Sequence, residues 1–190
     1  MVEVSGLKKI FDGRSVLDSM SFTIEEHDTL CVVGPTGCGK STLLRCIAGL
    51  EKPDAGNITC DGDIAVMFQE PRLLPWKDAE DNIRAVLKKE SFPLAQKYLS
   101  LVGLEDSAKK YPHELSGGMA QRVSFARFLS YAEESGATTL LLDEPFSALD
   151  SETEEKMLSV LLDFAADKTV ILVTHDHTTA ENLGGEIVKL

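Results

Sequence analysis

The chain has 190 residues, enough for one domain with a core of its own, and a formal net charge of −12. Such an acidic surface repels a phosphate backbone and Lys and Arg form no basic stripe, so no nucleic-acid partner is expected. Cys31, Cys38, Cys46 and Cys60 show neither a CxxC pair nor metal-ligand spacing, no apolar run approaches a membrane span, and Met1-Val2-Glu3-Val4 reads as a strand rather than a signal peptide, all of which suits a reduced, cytosolic chain.

Val2, Val4 and Leu7 suggest a first strand, and Leu17, Met20, Phe22 and Ile24 a second. Thr29–Val33 is a short apolar run that suits a buried strand, followed by a helix from about Lys40 to Leu50. Asn57–Cys60 and Ile64–Gln69 read as two strands around an Asp61-Gly62 turn. From Pro71 to Pro112 strand-like runs vanish, and Ala79–Glu90 and Phe92–Val102 read as amphipathic helices. A helix is expected after Ser116 to about Ala132, then an apolar strand at Thr138–Leu142. Ser151-Glu152-Thr153-Glu154 reads as a capping box before a helix carrying Met157, Leu158, Leu161 and Leu162. Thr169–Thr174, a short helix and Glu186–Leu190 close the chain. The expected fold is α/β with a mainly parallel sheet and a small antiparallel part. Residues 1–70 and 113–190 form the core of this single domain, and 71–112 a helical subdomain.

Gly34-Pro35-Thr36-Gly37-Cys38-Gly39-Lys40-Ser41 fits GxxxxGK[ST] between a strand and a helix. Glycines let successive backbone N–H groups turn inward toward phosphate oxygens, and the helix N-terminus adds partial positive charge. Lys40 would sit on the β- and γ-phosphates of ATP, and Ser41 would offer a hydroxyl to Mg²⁺. Leu140–Leu142 ends in Asp143-Glu144, which supplies carboxylates for the metal (Asp143) and for the attacking water (Glu144). Removing a positioned base of this kind costs about 10²–10⁴ in rate.

Leu115-Ser116-Gly117-Gly118-Met119-Ala120-Gln121-Arg122 is a second anion-holding device. It is redundant if it serves the nucleotide already held by residues 34–42. It makes sense if Ser116, Gly117 and Gly118 reach a nucleotide held by another subunit, where hydrogen bonds to a charged group are worth roughly 1.5–3 kcal/mol each.

Together these motifs resemble the nucleotide-binding subunit of an ABC transporter, with its P-loop NTPase core, over nearly the whole chain. Gly34–Ser41 resembles the Walker A loop, and Gln69 in Phe68-Gln69-Glu70 the Q-loop glutamine that touches Mg²⁺. Leu115–Arg122 resembles the signature motif, Asp143-Glu144-Pro145 Walker B with its catalytic glutamate, Ser147–Asp150 the D-loop and His175 the switch histidine. The resemblance implies a catalytic set of Lys40, Gln69, Glu144 and His175, a metal set of Ser41, Gln69 and Asp143, and a nucleotide cradle that extends to Thr42. Phe11 matches the aromatic that stacks on adenine, with a simple core role as the competing reading. It also implies a head-to-tail dimer with a second ATPase subunit, a transmembrane permease docked near the Q-loop, indirectly a solute-binding protein, and a peripheral place on the cytoplasmic side of the cell membrane. Phe68–Trp76 and Met119 are similar to importers of nitrate, aliphatic sulfonates, taurine and thiamine-precursor pyrimidines. Trp76 fits either a core position or the surface that meets the permease; His27, His113 and His177 read as structural. The Gly56–Gln69 link is short for the family and little chain follows His175, so a minimal domain with a trimmed antiparallel part is expected. Two rival functions stay open here: an ABC-type ATPase without a membrane partner, such as a translation or repair factor, and a nucleotide-dependent scaffold without turnover.

Overall fold

A computed structural model describes residues 1–190. The chain forms two compact units, Met1–Val66 with Thr138–Glu144 and Ala165–Leu190, and Met67–Ala137 with Pro145–Phe164. The helical stretch expected over residues 71–112 lies within the second unit.

In the first unit β1 (Val2–Phe11), β2 (Arg14–Ile24) and β4 (Ala55–Cys60) form an antiparallel sheet in the order β2-β1-β4. The apolar alternation of β1 slips between Val4 and Leu7, and the structure places a register shift there. The bulge brings β4 very close: a Cβ on Gly56, whose φ is +88°, would lie 2.4 Å from the Gly6 carbonyl oxygen. Only glycine fits that position.

The second sheet runs β5 (Ile64–Met67), β6 (Thr139–Asp143), β7 (Thr169–Thr174), β3 (Thr29–Val33), β8 (Glu186–Lys189). The β6–β7, β7–β3 and β3–β8 pairs are parallel. Every residue of β6 and β7 is buried, which explains their unbroken apolar runs. α1 (Lys40–Ile47) buries Leu43, Leu44, Cys46 and Ile47 in a core shared with Val32, Leu141, Ile171 and Val173. Full burial of one such side chain contributes roughly 1.5–3 kcal/mol.

The hairpin expected around Asp61-Gly62 does not form, because β4 and β5 belong to different sheets. Ile58 and Cys60 pair with Val4 and Val2 on β1. Asp61 N–H then bonds the Met1 carbonyl at 3.0 Å, whereas the Asp63 carbonyl accepts from Thr138 and Thr139 at 3.1 and 3.2 Å. The two ends of the turn are thus claimed by different neighbours.

The second unit holds α2 (Ala79–Arg84), α3 (Pro93–Leu101), α4 (Gly117–Ser135) and α5 (Ser151–Phe164), and the first unit ends with α6 (His177–Leu183) before β8. The helix expected over 79–90 stops at Arg84. Lys88 N–H is taken by the Glu134 carboxylate of α4 at 2.8 Å instead of by its own preceding turn. Asn82 is buried and fixes the segment before α2: its Oδ1 accepts from Leu74 N–H at 2.7 Å, and its Nδ2 donates to the carbonyls of Leu74, Lys77 and Asp78. α5 is capped one residue earlier than the sequence suggests: Asp150, not Ser151, accepts from Thr153 N–H at 3.0 Å. No helix is long and apolar enough to cross a membrane.

Candidate functional site

β3 delivers the chain into the Gly34–Gly39 loop, and α1 begins at Lys40. Gly39 is the N-cap of α1 with φ +113° and no side-chain cap, which leaves the first amides of the helix to a ligand. A Cβ there would lie 2.9 Å from the Val16 carbonyl, so the loop curls this tightly only around glycine. Pro35, Thr36 and Gly37 are exposed, while Gly34, Cys38 and Thr42 are half-buried. Lys40 folds back over the loop and donates to the carbonyls of Gly34 at 2.7 Å and Pro35 at 3.1 Å.

β6 ends at Asp143, whose Oδ1 accepts from Ser41 Oγ at 3.0 Å. Burial pushes the Asp143 carboxyl above its usual value. The Ser41 hydrogen bond, Arg45 and Lys40 oppose the rise, and the neighbouring Glu144 charge adds to it. Glu144 follows in a left-handed backbone conformation, φ +47°, uncommon for a residue with a side chain. Its N–H donates to the Val173 carbonyl at 2.9 Å. Its carboxylate lies 3.6 Å from Lys40 Nζ and 2.8 Å from His175 Nδ1, and accepts from Thr174 Oγ1 at 3.3 Å. Lys40 and Glu144 are only 6% and 7% exposed, so this is a buried ion pair.

The first unit therefore brings together Lys40, Ser41, Asp143, Glu144 and His175. The donors suit an anion: uncapped helix amides and an ammonium that spans the mouth of the loop. No three His, Cys, Asp or Glu side chains are arranged to hold a metal by themselves. Ser41 and Asp143 offer two adjoining oxygens, and Mg²⁺ characteristically takes one or two protein oxygens and fills its octahedron with phosphate and water. The residues present fit Mg²⁺ in that manner.

Phe11 stands beside the turn between β1 and β2, where its partner in the register is Arg14. Its ring is 43% exposed, with Lys9 Nζ 4.9 Å from the centroid, so the core reading does not hold. Trp76 is 70% exposed and is not a core residue either. Gln69 and Ser116 to Gly118 belong to the second unit. Gln69 is exposed just beyond β5. Ser116 caps α4, its Oγ accepting from Met119 N–H at 3.2 Å, which leaves the hydroxyl proton to donate outward; Gly117 is exposed and Gly118 half-buried.

Three side chains carry structure that sequence reasoning passed over. Thr174 reaches Glu144, as described. On α4, Gln121 Nε2 donates to the Pro145 carbonyl at 2.9 Å, and Arg127 donates to the carbonyls of Pro71 at 2.6 Å and Arg72 at 3.2 Å. A threonine closing an apolar strand, or a polar residue on a long helix, carries no local signal of such contacts.

Residues 17–147 match a protein-family profile described as ABC transporter. An aliphatic sulfonates import ATP-binding protein of Cupriavidus necator is 41% identical over 202 residues; the alignment covers all of this chain and 65% of that protein. A putrescine transport ATP-binding protein of Escherichia coli is 37% identical and covers 98% of this chain and 54% of its own length. Among solved structures, a dimeric ATP-binding cassette in a post-hydrolysis state, bound to ADP and Pi, superposes with a TM-score of 0.86 at 30% identity, covering 100% of this chain and 94% of that one. The chain thus spans 65% and 54% of the length of these two curated relatives.

Proposed function

The chain belongs to the ABC transporter family, and from that premise we propose that it is the ATP-hydrolysing subunit of an importer. Lys40 and the backbone N–H groups within residues 34–42, Pro35 having none, hold the β- and γ-phosphates, and Phe11 stacks on adenine. Ser41 and Asp143 would hold Mg²⁺, with Gln69 as the further ligand that the family resemblance implies, and the ion when bound would neutralise charge on the phosphate oxygens. Glu144 accepts a proton from the water that attacks the γ-phosphorus, while His175 hydrogen-bonds the γ-phosphate. The bond to the bridging oxygen breaks, and its electron pair leaves with ADP.

Ser116, Gly117 and Gly118 serve a nucleotide held by a second subunit, so two copies close head to tail on two ATP molecules. Closure drives a transmembrane permease, which a solute-binding protein supplies; the subunit sits peripherally on the cytoplasmic face of the membrane. The solute is a small one of the nitrate, sulfonate, taurine or pyrimidine type. The sulfonate import relative and the Phe68–Trp76 stretch favour that class over a polyamine.

The observation that carries the reading is the buried Lys40–Glu144 pair beside the Ser41–Asp143 hydrogen bond at the mouth of the glycine loop. Phosphate release from Mg-ATP tests it directly. Glu144→Gln is expected to bind ATP and dimerise yet hydrolyse about 10²–10⁴ times more slowly. Full turnover by that variant removes Glu144 as the base.

A further inference from the structure

The Glu144 carboxylate is held from several sides, and its holders differ in what the reaction asks of them. Lys40 lies 3.6 Å from one oxygen, while His175 Nδ1 at 2.8 Å and Thr174 Oγ1 at 3.3 Å address the other. In the function proposed above, on which this inference rests, Lys40 and His175 are drawn to the phosphates when nucleotide binds. Neither then stays free to hold the carboxylate. Thr174 has no such second duty.

Thr174 is also oriented for the task. It is buried at the end of β7, and its β-branch restricts the side chain to few rotamers. Its Oγ1 accepts from Asp176 N–H at 3.0 Å, which leaves the hydroxyl proton for Glu144. Asp176 is itself anchored as the N-cap of α6, accepting from Thr178 N–H at 2.9 Å and from Thr179 Oγ1 at 2.9 Å. One residue before Thr174, the Val173 carbonyl receives the Glu144 N–H. Two consecutive residues of β7 therefore grip the main chain and the side chain of a glutamate held at φ +47°, a conformation that needs support from its surroundings.

The geometry points to Thr174 as a positioning residue for the catalytic base: its hydroxyl keeps the Glu144 carboxylate aimed after Lys40 and His175 have turned to the nucleotide. Thr174 touches neither substrate nor metal and acts through Glu144 alone.

The test compares steady-state ATP hydrolysis in Thr174→Val, which keeps the shape and loses the donor, with Thr174→Ser, which keeps the donor. For Thr174→Val, kcat is expected to fall roughly tenfold to a hundredfold with KM for ATP within about twofold of the parent, since a hydrogen bond to a charged group is lost. Thr174→Ser should recover most of that rate. The same valine placed in the Glu144→Gln background should change the residual rate by less than about twofold, because groups acting through one another are not additive.

A Thr174→Val enzyme with the parent's kcat overturns the proposal. So does a loss that serine fails to rescue, or one that persists in full in the Glu144→Gln background, since either marks a structural role. Rapid turnover by Glu144→Gln alone marks failure of the base assignment rather than of Thr174 in particular.

Discussion

Replacing Lys40 with Met preserves most of the side-chain volume and removes the charge that faces Glu144. The two groups lie 3.6 Å apart and are almost fully buried. At an effective dielectric constant of about 20, unit charges at that separation attract by roughly 4–5 kcal/mol. Desolvation of both groups offsets much of this. Each also keeps other partners: Lys40 the carbonyls of Gly34 and Pro35, Glu144 the side chains of Thr174 and His175. The net coupling expected from a double-mutant cycle of Lys40→Met and Glu144→Gln is therefore about 1–3 kcal/mol. Urea unfolding of the nucleotide-free protein reads it out, and the bonds Lys40 makes to the loop carbonyls cancel in the cycle. The double variant should be more stable than the sum of the two single losses predicts. In melting temperature the coupling corresponds to about 2–12 °C for a chain of this size. Additivity within about 0.5 kcal/mol would show that the two charges do not stabilise one another and would refute the reasoning.

Other perturbations have expected outcomes of the same kind. Asp143 is raised above its usual value by burial, so the folded chain binds the proton more tightly than the unfolded one. Stability therefore falls as pH rises through the window between the ordinary and the raised value. Without nucleotide and Mg²⁺, Asp143→Asn should melt higher than the parent at neutral pH, and the gap should close as pH is lowered through that window; a gap that widens in acid contradicts the sign. Asn82→Ala strips the polar ties between Asn82 and the Leu74, Lys77 and Asp78 backbone, at a cost of about 2–4 kcal/mol. Hydrogen exchange should accelerate at residues 74–78 while α1 keeps its protection, and unchanged exchange in that segment would count against the tie.

The parts of the fold legible in the sequence are those governed by pattern. Leu140–Leu142 and Val170–Val173 are continuous apolar runs because strands in the middle of a parallel sheet are buried on both faces. The parts that were not legible depend on partners distant along the chain. Asp61-Gly62 carries every local sign of a hairpin turn, yet β1 claims one side of it. Beyond α2 the chain tightens into i→i−3 bonds at Val86 and Leu87, and the next amide, Lys88, goes to Glu134, far along α4. Asp150 and Ser151 are both acceptable caps, and it is Asp150 that takes both the N–H and the hydroxyl of Thr153. At the site, the residue types and their order are visible in the sequence, because glycine, lysine and paired carboxylates are rarely neutral choices. The mutual contacts of Lys40, Glu144 and His175, and the presence of Thr174 among them, arise from the parallel alignment of β6 with β7 and of β7 with β3, which leads into the Lys40 loop.

The grip of α4 on neighbouring backbone has a mechanical corollary. Gln121 and Arg127 fasten the helix to the carbonyls of Pro145, Pro71 and Arg72. Tilting α4 must either drag those peptides along or break the Arg127 bonds, at about 1.5–3 kcal/mol for each bond to its charged group. Within the second unit, a shift of the helix that begins beside Ser116 therefore carries the backbone at Pro145, Pro71 and Arg72 with it or gives up those bonds.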